Sequence, residues 1–171
     1  MTPFQQRVLA SLTVVPDFPK PGVQFRDITP LLMNPPLFAE VVDAMAERAS
    51  ASDVIAGIDA RGFVFAAAVA HALRKPLALF RKTGKLPRET HSASFSKEYG
   101  DDRIHLHRDS VGPGQRVTIV DDVLATGGTA AAAGEIVRAA GGIPSYVFLG
   151  EIPFLGGRSK VTGEIFSIVE M

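Results

Sequence analysis

The most constraining stretch of this chain is Val117-Thr118-Ile119-Val120-Asp121-Asp122-Val123-Leu124-Ala125-Thr126-Gly127-Gly128-Thr129. Its first four residues are β-branched and, with Arg116, read as a strand. Two carboxylates follow, then a loop of small residues. Thr129 to Ala140 reads as a helix with Glu135 and Arg138 outward and Gly141 as its stop. A strand that runs through a short loop into a helix is half of a right-handed βαβ crossover, which commits the chain to a layered α/β architecture. The neighbouring segments agree. Val54 to Ile58 is a strand-length apolar run that leads through Gly62 into the alanine-rich helical segment Phe63 to Leu73, and Pro76 to Phe80 and Tyr146 to Leu149 are further strand candidates. Strands alternating with helices of this length predict a mainly parallel central sheet flanked by helices.

Three stretches break the alternation. Val14 to Pro36 contains Pro16, Pro19, Pro21, Pro30, Pro35 and Pro36, too many for a helix or a central strand, and is expected to form an ordered loop or cap. Arg81 to Asp102 is polar and contains glycine; a loop of about twenty residues in a compact domain is usually a lid, and a flexible one is expected here. After Ile152, Gly156-Gly157 makes a turn and Glu164 to Val169 alternates as an edge strand. The 171 residues predict a single domain over 1–171, with a small N-terminal hood about 14–36 and the flexible loop about 81–102. At this size about 70% of the unfolded chain's surface is buried on folding, so no covalent staple is needed.

Composition removes several function classes. The absence of cysteine excludes a disulfide scaffold, a thiolate metal site and a cysteine nucleophile. Eighteen basic residues against eighteen acidic ones leave no net field to attract nucleic acid or an anionic membrane, so neither is an expected partner. The apolar run Phe63 to Leu73 is interrupted by His71 and falls well short of the ~20 residues that span a bilayer. Only Arg7 precedes the apolar patch Val8 to Val15 and no small-residue cleavage pattern follows it, so the expected compartment is the cytoplasm. His71, His91, His105 and His107 make no metal motif.

The Asp121 to Thr129 segment carries the chemistry. In open α/β sheets ligands sit at the carboxyl ends of strands. Backbone N–H groups over 126–129 can converge on a phosphate because Gly127 and Gly128 let the main chain approach, and the helix N-terminus adds its partial positive charge. The hydroxyls of Thr126 and Thr129 can donate as well. A carboxylate does not bind phosphate, but Asp121 and Asp122 can accept hydrogen bonds from vicinal hydroxyls, so a ribose phosphate satisfies both halves. Taken singly, Asp121-Asp122 and Thr129 could equally be turn and helix caps. The segment is not a Walker P-loop, since no Gly-Lys-Ser/Thr follows, and the chain contains no G-x-G-x-x-G dinucleotide fingerprint.

The string resembles the phosphoribosyl-pyrophosphate motif of the type I phosphoribosyltransferases: four apolar residues, two acidic residues and a small-residue loop ending in Gly-Thr. Further matches, in that family's order and closest to its adenine-specific branch, are Asp17-Phe18-Pro19, Pro21-Gly22-Val23, Phe25-Arg26-Asp27-Ile28, Gly57-Ile58-Asp59-Ala60-Arg61-Gly62-Phe63, Arg81-Lys82, Gly84-Lys85-Leu86-Pro87 and Glu98-Tyr99-Gly100. They span roughly residues 16 to 150. The resemblance implies the type I phosphoribosyltransferase fold and transfer of a phosphoribosyl group from phosphoribosyl pyrophosphate to adenine, giving AMP and diphosphate.

It also implies roles. Ala125, Thr126, Gly127, Gly128 and Thr129 would cradle the 5′-phosphate beside Asp121 and Asp122. Arg61 would meet the diphosphate from the Asp59-Ala60 loop, where the family often holds a strained peptide. Arg81, Lys82 and Lys85, with Arg88, form a second cationic source, and the Arg81-Lys82 position would reach the neighbouring subunit's diphosphate in a homodimer. Gln24, Phe25 and Arg26 would form the hood over the purine, with Phe25 stacking on the base. Glu98, beside Tyr99, would serve as the acid or base for the ring proton, or else close the lid through a salt bridge. Magnesium (Mg2+) is implied as a metal carried by substrate and water, without a dedicated cluster of protein ligands. Ala60 stands where several relatives have serine, which removes a side-chain hydrogen bond and leaves a backbone role. The C-terminal segment is expected to be shorter than in many relatives. Two other readings remain open: another base as acceptor, or a non-catalytic regulator that keeps the sugar-phosphate pocket.

Overall fold

The structure, a computed structural model, describes residues 1–97 and 100–171, with 96, 97, 100 and 101 described by their backbone. In chain order it comprises α1 (Pro3–Ala10), β1 (Thr13–Pro16), β2 (Gln24–Asp27), α2 (Thr29–Leu32), α3 (Pro35–Ala49), β3 (Val54–Ile58), α4 (Gly62–Leu73), β4 (Leu77–Lys82), β5 (Thr90–Lys97), β6 (Gly100–His107), β7 (Arg116–Leu124), α5 (Gly128–Ala139), β8 (Ile143–Glu151) and β9 (Ile165–Glu170). Strands β5-β6-β4-β3-β7-β8-β9 form one sheet in that order. The pairs β4/β3, β3/β7, β7/β8 and β8/β9 are parallel, and the β5/β6 hairpin joins β4 antiparallel.

Each face of the sheet has its own core. On one, Ile55, Val120, Val147, Leu149 and Ile168 pack against α1, α3 and α4 through residues such as Val8, Met45 and Phe65. On the other, Ile58, Phe80, Ile119 and Phe148 pack against α5 through Ala133, Ile136 and Val137, and Leu106 of the hairpin belongs to the same cluster. This is the expected α/β sandwich of a mainly parallel sheet between helices.

Three expectations are corrected. The proline-rich stretch 14–36 is not merely loop: β1 and β2 pair antiparallel from Thr13↔Asp27 to Pro16↔Gln24. Proline is tolerated there because the ribbon is all edge, and Pro16 ends its strand. Pro35 and Pro36 open α3, where a missing N–H would be unbonded anyway, and Asn34 caps Leu37 N at 3.3 Å. The stretch 81–102 is not a twenty-residue loop either. It contains the end of β4, all of β5 and the start of β6, leaving a turn over 83–89. The polar–apolar alternation of Ser92, Ala93, Ser94 and Phe95 suits a strand whose one face meets the core.

The expected strand 116–120 also runs four residues further. Its pairing with β3 stops at Gly57↔Val120, whereas pairing with β8 continues to Leu124↔Glu151. Asp121 and Asp122 therefore stand where β7 has outrun β3. From β3 the chain crosses to β4 on one side, and from β7 it crosses to β8 on the other. That reversal opens a crevice at the carboxyl ends of β3 and β7.

Candidate active site

At the end of β3 the chain turns through a cis Asp59–Ala60 peptide and Arg61 into α4. Gly62 makes this turn fit: a Cβ on it would lie 2.7 Å from Asp121 Oδ1 and 2.8 Å from the Val120 carbonyl. The close approach brings Arg61 over β7, with Nε 2.8 Å from Asp122 Oδ2. Asp122 is only 4% exposed, and its Oδ2 has no hydrogen bond of good geometry, so the contact with Arg61 is ionic and leaves a buried acceptor. Asp121 Oδ1 accepts the Asp122 N–H at 2.9 Å. Burial first, and the Asp122 charge second, hold the Asp121 carboxyl well above the ordinary value of 3.8, while Arg61 opposes the shift.

Arg61 also ties the hood to the sheet. Its guanidinium carbon lies 4.8 Å from the centroid of the Phe25 ring, and Phe18 meets the same ring edge-on at 5.1 Å. Asp27 closes a turn onto the first residue of the helix that follows, its Oδ1 accepting from Thr29 N at 2.9 Å and Thr29 Oγ1 at 2.6 Å. These bonds hold its carboxyl below the usual range. The hood is thus braced from both ends.

The loop between β7 and α5 is built for close approach. Gly127 caps α5 with φ +78°, a conformation that L side chains rarely adopt. A Cβ on Gly127 would stand 2.3 Å from the Gly157 carbonyl, so the loop is pressed against the turn at Gly156-Gly157. Thr126, Gly127 and Gly128 line a small hollow of about 90 Å³ at the N-terminus of α5.

Gln24, Phe25, Arg26, Asp59, Ala60, Arg61, Asp121, Asp122, Ala125 and Thr129 line one cleft of about 490 Å³. Arg81 stands beside it, Nε 3.2 Å from Asp59 Oδ2. Lys82 reaches Asp102 Oδ2 at 3.8 Å, and Lys85 is exposed in the turn after β4, so neither lines the cleft. Arg88 is engaged with Asp109 and with His107 Nδ1. Glu98 and Tyr99 lie outside the described residues. His105 bridges Thr83 Oγ1 at 3.1 Å and Thr90 Oγ1 at 3.0 Å, a structural use. Ile152 and Leu155 complete the cleft wall and were not expected there, because isolated apolar residues in a loop carry no signal of their own.

A profile of the phosphoribosyl transferase domain matches residues 29–150. The chain is 50% identical over 157 residues to the adenine phosphoribosyltransferase of Anaeromyxobacter dehalogenans, covering 90% of this chain and 91% of that one. It is 48% identical to the enzyme of Roseiflexus sp. over 160 residues, 91% of this chain and 93% of that one. Among solved structures, the adenine phosphoribosyltransferase of Thermoanaerobacter pseudethanolicus superposes with a TM-score of 0.93 at 42% identity, over 98% of this chain and 99% of that one. That of Saccharomyces cerevisiae, solved with adenine and an imino-altritol bisphosphate, gives 0.93 at 38% identity over 96% and 98%. A sheet that reverses at β3/β7, carboxylates set in that crevice and likeness of this extent along nearly the whole chain lead to one assignment: the chain belongs to the phosphoribosyltransferases, within the adenine phosphoribosyltransferase family.

Proposed function

We propose that this protein transfers the phosphoribosyl group of 5-phospho-α-D-ribose 1-diphosphate to adenine, giving AMP and diphosphate. The observation that carries the reading is the single cleft joining the Phe25 hood, the Arg61 turn, the Asp121-Asp122 pair and the start of α5. A purine, a diphosphate, a ribose and a 5′-phosphate each find one of those four parts.

In this reading the N–H groups over 126–129 take the 5′-phosphate, with Ala125 and Thr129 shaping the floor. Asp121 and Asp122 accept from the ribose hydroxyls, Asp122 Oδ2 being a buried acceptor that has its ion pair with Arg61 and no hydrogen bond. The base stacks on Phe25, and backbone groups of Gln24 and Arg26 read its polar edge. As the bond from C1 to diphosphate breaks, the sugar takes on oxocarbenium character, and the carboxylates fixed nearby lower the energy of that charge. Arg61, with the Asp59-Ala60 peptide, stabilises the departing diphosphate, and Arg can grip two phosphate oxygens at once. Glu98 is assigned either the ring proton or a salt bridge that closes the lid, and Tyr99 beside it a contact with substrate.

Magnesium fits this donor set. The carboxylates are hard oxygen ligands and Asp122 Oδ2 is a buried acceptor, while no group of three His, Cys, Asp or Glu among the described residues could hold the ion without substrate. Asp121 and Asp122 would hold it through water, and it would neutralise diphosphate charge.

A homodimer is part of the proposal, with Arg81 and Lys82 serving the partner's diphosphate and Lys85 adding to the same cationic source. Its support is α4, whose one polar side chain is His71 and whose Val64 is 41% exposed, a composition suited to burial on more than one face. No helix among the described residues is long and apolar enough to cross a membrane. The compartment proposed is the cytoplasm, since a sugar bearing three phosphoryl groups does not cross a bilayer unaided.

The test is product chromatography of purified protein with phosphoribosyl pyrophosphate, magnesium and, separately, adenine, hypoxanthine, guanine, xanthine or orotate. AMP from adenine alone is expected. Product from another base overturns the specificity, and no product from any base overturns the activity.

A further inference from the structure

Residues 152–157 form a strap between β8 and the 3-10 helix Gly157–Lys160, and one ion pair ties its two ends. Glu151 closes β8 and is 8% exposed. Its Oε2 accepts from Arg158 Nε at 3.1 Å, Arg158 Nη2 at 2.8 Å and Ser167 Oγ at 3.1 Å. Arg158 Nη1 donates to the Ile165 carbonyl at 3.3 Å. A planar guanidinium held by three bonds in this way fixes direction as well as charge, which a lysine cannot reproduce.

The strap inside this clasp touches both halves of the cleft. Ile152 and Leu155 line the cleft itself. Gly157 braces the phosphate loop from behind: a Cβ on it would stand 2.1 Å from the Ala125 carbonyl and 2.9 Å from Gly127 N. Ile152 N donates to the Leu124 carbonyl at 3.0 Å, which joins the strap's start to the end of β7. The phosphate loop, made of small residues, has little side chain of its own to hold its N–H groups in place. Glu151, Arg158 and Ser167 line neither the 490 Å³ cleft nor the hollow at α5.

We propose that the Glu151–Arg158 clasp holds the phosphate loop and the Ile152–Leu155 wall as one unit, making Glu151 and Arg158 positioning residues for both substrates. The inference rests on the cleft being the phosphoribosyl-transfer site. Its chemistry is orientation of backbone donors before substrate arrives, which sets affinity more than the rate of the bound complex.

The experiment compares wild type with Arg158→Met, Arg158→Lys and Gly157→Ala. It measures KM for each substrate and kcat from AMP formation, phosphoribosyl pyrophosphate affinity by calorimetry without base, and thermal unfolding. In Arg158→Met both KM values are expected to rise roughly 10- to 100-fold with a smaller change in kcat, as for a displacement on the order of 1 Å. Arg158→Lys should recover part of the loss, and Gly157→Ala should raise KM for phosphoribosyl pyrophosphate while the clasp is intact. A folded Arg158→Met enzyme with both KM values unchanged overturns the proposal, as does a fall in kcat alone, the mark of a purely structural role. Should Arg158→Met fail to fold, unchanged KM values in Arg158→Lys and Gly157→Ala overturn it instead. A wild type that makes no AMP defeats the functional reading separately; the clasp is then judged by calorimetry, where equal affinities in wild type and variants overturn it.

Discussion

A carboxylate as buried as Asp122 needs a cation close by, and Arg61 supplies one at 2.8 Å from the turn after the neighbouring strand. Asp122→Ala would release Arg61 from its place and remove the buried acceptor, and we expect kcat/KM to fall by about 100-fold or more. Steady-state kinetics with AMP as product checks this; unchanged kinetics would take Asp122 out of the site. Asp121 behaves differently because its carboxyl holds a proton above the ordinary 3.8. The unfolded chain gives up that proton first, so the native state binds more protons in the window above 3.8. Stability contributed by this group is present below the window and is lost as pH rises through it. As pH rises above 3.8, denaturant midpoints of the unliganded protein should therefore fall in wild type relative to Asp121→Asn. Parallel curves would show an unperturbed Asp121.

Elements place these residues by close backbone contact. Gly62→Ala would drive a methyl into Asp121 Oδ1 and the Val120 carbonyl, and overpacking of this kind is expected to cost about 1–3 kcal/mol, read from chemical denaturation. Wild-type stability in that variant would mean that α4 can shift away from β7. In the loop before α5, Thr126→Pro deletes one N–H of the proposed phosphate cradle, and calorimetry should show phosphoribosyl pyrophosphate binding abolished. Binding at wild-type strength would remove that N–H from the cradle. At this scale the sequence was readable where period and punctuation agreed. Val54 to Ile58 is bounded by Gly62 and followed by an alanine-rich helix, and it is β3 to the residue. The hood was harder, because proline counts against strands in general but not at the end of an isolated two-stranded ribbon. Helix α3 hid behind Pro35-Pro36 for the same reason: proline breaks a helix anywhere but in its first turn.

For the molecule as a whole, α4 makes the assembly testable. Val64→Glu places a charge on the exposed side of an otherwise apolar helix. If that face meets a second copy, sedimentation should show dimer in wild type and monomer in the variant, and activity should fall as Arg81 and Lys82 lose the partner's diphosphate. A monomeric wild type with full activity would sink the dimer. The Asp121 to Thr129 motif and the strand–helix alternation determined by themselves the α/β class, the small-residue loop before α5 and the carboxylate pair, because those depend on residues adjacent in the chain. Tertiary structure alone decided that Arg61, after β3, meets Asp122 on the adjacent β7, that Phe25 of the hood lies beside that arginine, that Ile152 and Leu155 return to the same crevice from beyond β8, and that Gly157 packs against the loop before α5. Contacts of that kind join residues tens of positions apart. They arise from where β7 outruns β3 and how closely glycines let backbones approach, and neither is written in local pattern.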